Sequence, residues 1–427
     1  MTVRTKYRTL IFMNRTDIPE LLLERLTRYA AIDTQSNMEK ADSLVFPSTD
    51  TQIQFAREIA EELRSIGVPD VMVDENSYVI ARIPASPGKE DTPSFGLCAH
   101  LDTASDAPGS GVKPRIHRNW SGESIVLQNG FILDPAVDKA LGECIGHTII
   151  TSDGTTLLGA DDKAGLSGIM TLAQYLIAHP EILHGPVEIL FSPDEETGHG
   201  MDKVPLSLLR SKAFYTVDGG HAGEIEAECF NAWKAEVSFS GIAAHLGSAK
   251  GRMVNALAMA AAFVNALPAR ESPETTEGYE GYFCPLDIRG STEKTDLLVF
   301  IRDFDREQMT RRLERLDIIA RSIEASFPGG MVTIKKTCQY LNMKQKLDEH
   351  PLILERLCTA VVRAGLEPVQ KPIRGGTDGS RLTEMGIPTP NIFTGGHNYH
   401  SRTEWASLEH MTQMFDTLVE LTHIWGE

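Results

Sequence analysis

VEILFSPDEETG, Val187 to Gly198, passes from an apolar run into three consecutive acids and a glycine within a dozen residues. A short apolar run bounded by turn residues reads as a strand covered on both faces. The acids that follow, Asp194, Glu195 and Glu196, repel one another unless positive charge lies among them. Adjacent side chains cannot easily point the same way, so neighbouring acids can hold different tasks.

Similar runs lie at Phe95 to Ala99, Ala213 to Val217 and Asn391 to Phe393. Helical periodicity separates them. It covers Ile18 to Ala31, Thr51 to Ile66 with Thr49 and Gln52 placed as a capping box, and Ala164 to Ala178. Apolar strands alternating with helices predict an α/β fold, a large domain with a central mixed sheet flanked by helices. After Cys229 the texture changes: FNAWKAEVSFSG and DLLVFIRDFD alternate as strands with one wet face, beside two helical stretches. This predicts a smaller α+β module at 229–341, inserted as a lid between the 1–228 and 342–427 parts of the large domain.

The chain has 427 residues and a formal net charge of -18, which suits two domains and argues against nucleic acid or an anionic membrane surface as partner. Six cysteines without a CxxC pair read as reduced thiols in a cytoplasmic protein. No apolar run is long enough for a membrane helix. The basic opening MTVRTKYRTLIF has too short an apolar patch for a signal segment, and Met13 is an alternative start.

The informative residues fall just past the strand ends, where open α/β sheets gather ligands. His100 and Asp102 follow the first run. Asp161 and Asp162 precede a helix. Glu195, Glu196, Asp218, His397 and His400 follow the others. Imidazoles and carboxylates without thiolate suit zinc or a similar divalent ion, with cobalt and manganese as alternatives. There are too many donors for one tetrahedral ion, whereas two ions about 3.5–4 Å apart, bridged by a carboxylate, would use them all. One of Glu195 and Glu196 would then bind metal while the other acts as base.

HLDT, LLGADDKAG, SPDEETG, YTVDGG, AAHLGSAKGRMVNAL, EGYEGY, IRDFDR, PIRGGTDG and FTGGHNYH together resemble the co-catalytic zinc metallopeptidase family that includes carboxypeptidase G and carnosinase. TLLGADDKAG, YTVDGG and KPIRGGTDG point within it to the peptidase T branch, the tripeptide aminopeptidases. The resemblance runs from about Leu21 to the end; Leu246, where proline is the family pattern, is a departure. It implies two zinc ions per subunit, held by His100, Asp161 as the bridge, Glu196, Asp218 and His400. It implies Asp102 as the aspartate that orients His100, and Glu195 as general base. The implied activity is release of the N-terminal residue from small tripeptides. A related dipeptidase, carboxypeptidase or N-acyl-amino-acid amidohydrolase is the nearest alternative. A non-catalytic metal-dependent binding protein is a remote one, since it predicts a damaged set and Glu195 and Asp102 are both present.

Plainer readings stand beside these. Asp162 is the bridge on spacing alone, or a helix N-terminal acid. Asp194 reads as a turn former. His199 and His221 read as solvated loop residues, and His397 competes with His400. Cys98 reads as a small core residue. His245 is a solvated loop histidine, or a lid residue reaching the substrate carbonyl as the resemblance implies. Arg374 either braces its glycine turn or reads a substrate carboxylate with its planar fork. No GxSxG, HExxH, Walker A or GxGxxG pattern is present. A homodimer is left open.

Overall fold

The computed structural model describes residues 14–427, so Met13 lies outside the described residues. The chain divides into two units. One takes the described residues up to Ala227 with Lys346–Lys371 and Thr377–Glu427; the other takes Glu228–Gln345 with Pro372–Gly376.

The first unit is built on a mixed sheet. At its centre Val187–Ser192, Phe95–His100, Phe214–Gly219 and Asn391–Phe393 lie side by side in that order, all parallel. Val79–Ile83 and Asp70–Val73 extend it antiparallel on one side, and Glu224–Cys229 joins antiparallel on the other. Successive strand residues face opposite sides. Leu97, Ala99, Ile189 and Phe191 enter a core with the helices Ile18–Ala30, Asp50–Ile66, Ala160–Ala178 and Leu408–Gly426. Cys98, Leu190 and Phe214 enter a second core on the other face, beneath Leu382 of the short helix Asp378–Glu384. Both faces are dry, which is why these strands read as apolar runs rather than as alternation.

The second unit has four antiparallel strands in the order Tyr282–Gly290, Lys294–Asp303, Asn231–Ser240, Met331–Tyr340. Ala235, Val237 and Phe239 point to one side and pack with Met259, Phe263, Leu316 and Ile323 of the helices Ala256–Ala266 and Arg306–Ser326. Pro372–Gly376 groups with this unit although it lies beyond residue 341, a membership that local pattern does not reveal. Among the described residues no helix is long and apolar enough to cross a membrane.

Candidate metal centre

The four parallel strands point their carboxyl ends the same way and deliver most of the site. His100 ends one strand, and Asp218 lies near the end of its neighbour. Glu195 and Glu196 occupy a helical turn three residues after Ser192. His400 lies in a loop after Phe393, with a left-handed backbone at φ 60°.

Asp161 comes from the start of the Ala160–Ala178 helix, where its own φ and ψ, -84° and 105°, are extended rather than helical. The Asp161–Asp162 peptide is cis. Gly165 allows this helix to sit on the strand below: a Cβ there would lie 1.8 Å from the carbonyl oxygen of Val217. The glycine of LLGADDKAG is therefore a contact requirement that holds Asp161 beside Asp218.

His100 Nε2 is 2.8 Å from Asp161 Oδ1 and 3.7 Å from Asp218 Oδ1. His400 Nε2 is 3.2 Å from Asp161 Oδ2 and 2.9 Å from Glu196 Oε2. Two donor triads result, His100–Asp161–Asp218 and Asp161–Glu196–His400, each with its ligand atoms within 4.8 Å of one another. Asp161 is common to both, one oxygen to each. Glu196 Oε1 is buried with no hydrogen-bond partner among the described residues. Glu195 belongs to neither triad, and no hydrogen bond to its carboxylate is found among the described residues.

The charge balance splits the acids: burial would raise Asp161, but His100 and His400 outweigh it and hold Asp161 below its ordinary value, while the acids around it are raised. Burial and the Asp161 charge push Glu196 up to about 8 despite His400, and Asp218 is pushed up to about 6 by the same two causes. Burial raises Glu195 well above the usual carboxylate range, with Asp378, Asp218 and Glu196 adding to it against His100. Hydrogen bonds to Asp161 and Glu196 push His400 up to about 11. Acids crowded this closely draw protons when no other positive charge is present. Divalent cations are the natural substitute. Oxygen and imidazole donors, a shared carboxylate and an orphaned Glu196 oxygen fit a pair of such ions.

The supporting residues complete the picture. Asp102 takes the backbone N–H of Glu195 on Oδ1 at 3.0 Å and that of Glu196 on Oδ2 at 3.1 Å. His100 Nδ1 lies 3.1 Å from the Asp102 carbonyl and 3.4 Å from its carboxylate. One aspartate thus sets both the imidazole and the two-glutamate turn. Asp162 is in neither triad; its carboxylate accepts from the N–H of His100 at 3.3 Å and of Gly165 at 3.1 Å, a helix-start role.

The expected capping box at Thr49 and Gln52 is absent. Gln52 reaches across instead: Nε2 donates to Asp194 Oδ1 at 2.8 Å, and Oε1 accepts from the Asp194 N–H at 2.9 Å. Asp194, at φ 57°, also accepts from the Ser48 N–H and hydroxyl. Gln52 Nε2 also keeps Thr49 Oγ1 at 3.1 Å, but its shortest bonds go to Asp194, where they satisfy a buried carboxylate. His199 pairs with Asp202 and Asp42.

The substrate residues expected in the second unit sit as follows. His245 is exposed, and its Nδ1 accepts from the Gly247 N–H at 3.2 Å. Arg374 donates to the carbonyls of Gly278 and Glu280 at 2.8 and 2.9 Å and to Thr276 Oγ1 at 2.8 Å. Three of its five N–H groups therefore brace its own unit.

A profile described as Peptidase family M20/M25/M40 matches residues 152–423, well over half of the chain. Peptidase T of Bacillus licheniformis is 45% identical over 408 residues, spanning 95% of this chain and 98% of the relative. The chain belongs to peptidase family M20/M25/M40. Solved structures of similar fold include the aminopeptidase PepT of Bacillus cereus (TM-score 0.74, 21% identity, 96% and 99% of the two chains). A tripeptidase of Staphylococcus aureus is another (TM-score 0.75, 20% identity, 96% and 98%).

Three further residues of this M20/M25/M40 chain escaped the sequence reading. Glu404 is buried and accepts from the N–H groups of Leu158, Gly159 and Asp161 at 2.8, 2.7 and 3.1 Å, fixing the loop that presents Asp161. Asp378, pushed up to about 7 by burial, is hydrogen-bonded by Ser192 behind the glutamate turn. Tyr399 donates to the Gly219 carbonyl at 2.9 Å, next to Asp218. The TDG and HNYH motifs pass through two of them, but nothing local marks Glu404.

Proposed function

We propose that the chain is a two-metal aminopeptidase that releases the N-terminal residue of tripeptides. The observation that carries the metal part is the pair of donor triads meeting at Asp161, with Glu195 left out of both. His100, Asp161 and Asp218 would hold one ion, and Asp161, Glu196 and His400 the other. Zinc fits best, with cobalt and manganese acceptable to the same donors. When bound, the ions would supply the positive charge that acidifies a water and polarises the scissile carbonyl.

The protein's own groups do the rest. Glu195, held by its backbone to Asp102 yet free at its carboxylate, takes the proton from the attacking water and returns it to the leaving amine. Asp102 holds His100 and the Glu195–Glu196 turn in register. His245, with Nδ1 accepting, has Nε2–H left to donate to a substrate carbonyl oxygen. The two N–H groups that Arg374 keeps free are offered to a substrate carboxylate. The tripeptide preference is supported by the naming of relatives at 45% identity over nearly the whole chain.

The test is a product assay on a free tripeptide, its dipeptide and tetrapeptide neighbours and its N-acetyl form, each with added zinc and after chelation. Release of the first residue from the free tripeptide alone, abolished by chelator and restored by metal, is the expected result. Preference for the acetylated peptide or a dipeptide would leave the metal chemistry standing and overturn the substrate.

A further inference from the structure

The first unit carries a second group of metal-type donors that the proposed reaction does not use. His221 follows the Phe214–Gly219 strand, His397 ends the short strand Gly396–His397, and His410 sits in the first turn of the Leu408–Gly426 helix. Each offers one imidazole nitrogen, and the three lie within 4.8 Å of one another. The rings meet edge to face: His221 and His410 with centroids 4.8 Å apart, His221 and His397 at 5.4 Å. His397 is fixed by stacking on Trp405 at 4.1 Å.

Two ring nitrogens here, His397 Nε2 and His410 Nδ1, are buried with no hydrogen-bond partner among the described residues. His410 is only 7% exposed, and its other nitrogen faces the Cys144 thiol at 4.0 Å. Leaving a buried polar atom unsatisfied costs about 1–3 kcal/mol, so two in one cluster call for a partner. Burial and the neighbouring imidazoles lower His397 to about 4 and His410 to about 3, so both are neutral at physiological pH, the form that ligates metal.

A carboxylate stands ready: Glu143 Oε2 is 3.6 Å from His221 Nε2. A cleft of about 420 Å³, lined in part by Glu143, His221 and His397, opens the cluster to solvent. The overlapping set Cys144–His147–His410 is a poorer one. Burial pushes the Cys144 thiol up to about 12, and His147 Nδ1 is engaged with Ser407 Oγ at 2.9 Å.

We propose that His221, His397 and His410, completed by Glu143, bind a borderline transition-metal cation, Zn²⁺ foremost, at a site separate from the Asp161 centre. Three imidazoles and a carboxylate make a tetrahedral set for zinc, whose bonds to imidazole nitrogen are about 2.0–2.1 Å. The site has a structural consequence. His221 lies three residues after Asp218, and His397 three before His400. A cation here ties together the two loops that carry donors of the main centre, and stabilises them by mass action.

The test uses tag-free protein equilibrated with low-micromolar free zinc, with zinc per chain counted by mass spectrometry. The H221A/H397A variant, folded by circular dichroism, is expected to hold one ion fewer than wild type and to lose part of the zinc-dependent rise in Tm. Asp161→Asn, which leaves the histidines untouched, is expected to keep one ion whatever becomes of the main centre. Equal counts in wild type and H221A/H397A overturn the proposal. So does an Asp161→Asn protein that binds no zinc, even if the double variant does not fold. Loss of activity or a lower count at the Asp161 centre bears only on the peptidase reading.

Discussion

At the scale of single residues, the proposed division of labour between Glu195 and Glu196 rests on where two adjacent side chains go. Both backbone N–H groups are held by Asp102, so the turn cannot rotate to exchange them. Glu196 is committed to His400 at 2.9 Å, and Glu195 is left free. Glu195→Gln is therefore expected to cut kcat by about 10²–10⁴-fold, the usual size of a general-base contribution, with the bound metal count unchanged. Glu196→Ala is expected to lose one ion. Metal analysis beside steady-state kinetics checks both; a Glu195 variant that loses metal while the Glu196 variant keeps it would reverse the assignment.

At the scale of elements, the Ala160–Ala178 helix is what aligns Asp161 with the strand ends, and it is held at two places. At its start Gly165 touches the carbonyl of Val217. Gly165→Ala is expected to push the helix off the strand, at about 1–3 kcal/mol for overpacking, and to lower metal affinity as well as Tm. Calorimetry with a zinc titration reads both.

Further along, Arg25 on the Ile18–Ala30 helix donates to Thr171 at 2.9 Å and to Glu62 of the Asp50–Ile66 helix at 3.0 Å, with both charged partners almost fully buried. Burial would raise Glu62, but Arg25 and Arg28 outweigh it and hold the carboxyl below its ordinary value. A carboxyl lowered in the folded state contributes stability that is present above its unfolded pKa, about 4.3, and is lost as pH falls through the lower folded value. Glu62→Ala leaves the Arg25 charge buried without its main partner and is expected to cost about 3–5 kcal/mol at neutral pH. The gap between wild type and variant should shrink as thermal melts are taken into acid; a gap independent of pH would assign the effect to packing alone.

At the scale of the whole molecule, carboxylates and histidines from five separate segments converge on one rim, where Glu195, Glu196 and Asp218 are drawn above their ordinary range while His100 and His400 hold the shared Asp161 below it. Such a rim is self-repelling without cations. Chelation is expected to lower Tm and restoration of zinc to raise it. Each ion contributes about 2.7 kcal/mol when free metal is a hundredfold above its Kd. Scanning calorimetry with and without chelator is the check, and an unchanged Tm would mean that the rim is satisfied by protons instead.

Local chemistry set much of this in advance. The apolar runs at Phe95, Val187, Phe214 and Asn391 show as strands because burial on both faces admits few polar residues, such as Glu188, Thr216 and Asn391. Residues placed just past strand ends are bound to gather, because parallel neighbours bring their carboxyl ends together. Other features were beyond one-dimensional reading because their partners are distant in sequence. Thr49 and Gln52 have the spacing of a capping box, yet Gln52 serves Asp194, 142 residues away. Asp161 and Asp162 are equal in sequence; the fold gives one to two triads and the other to the His100 and Gly165 amides. Glu404 carries no local sign, and becomes a ligand-loop clamp only when the chain returns 243 residues later to meet the Asp161 amide. His221 reads as a solvated loop residue and His397 as a rival of His400, nothing local marks His410, and only packing makes the three a cluster. Residue type and spacing determined which chemistry was available. Tertiary contact decided which atoms perform it, because a ligand set is a matter of distances of a few ångströms between residues that are far apart along the chain.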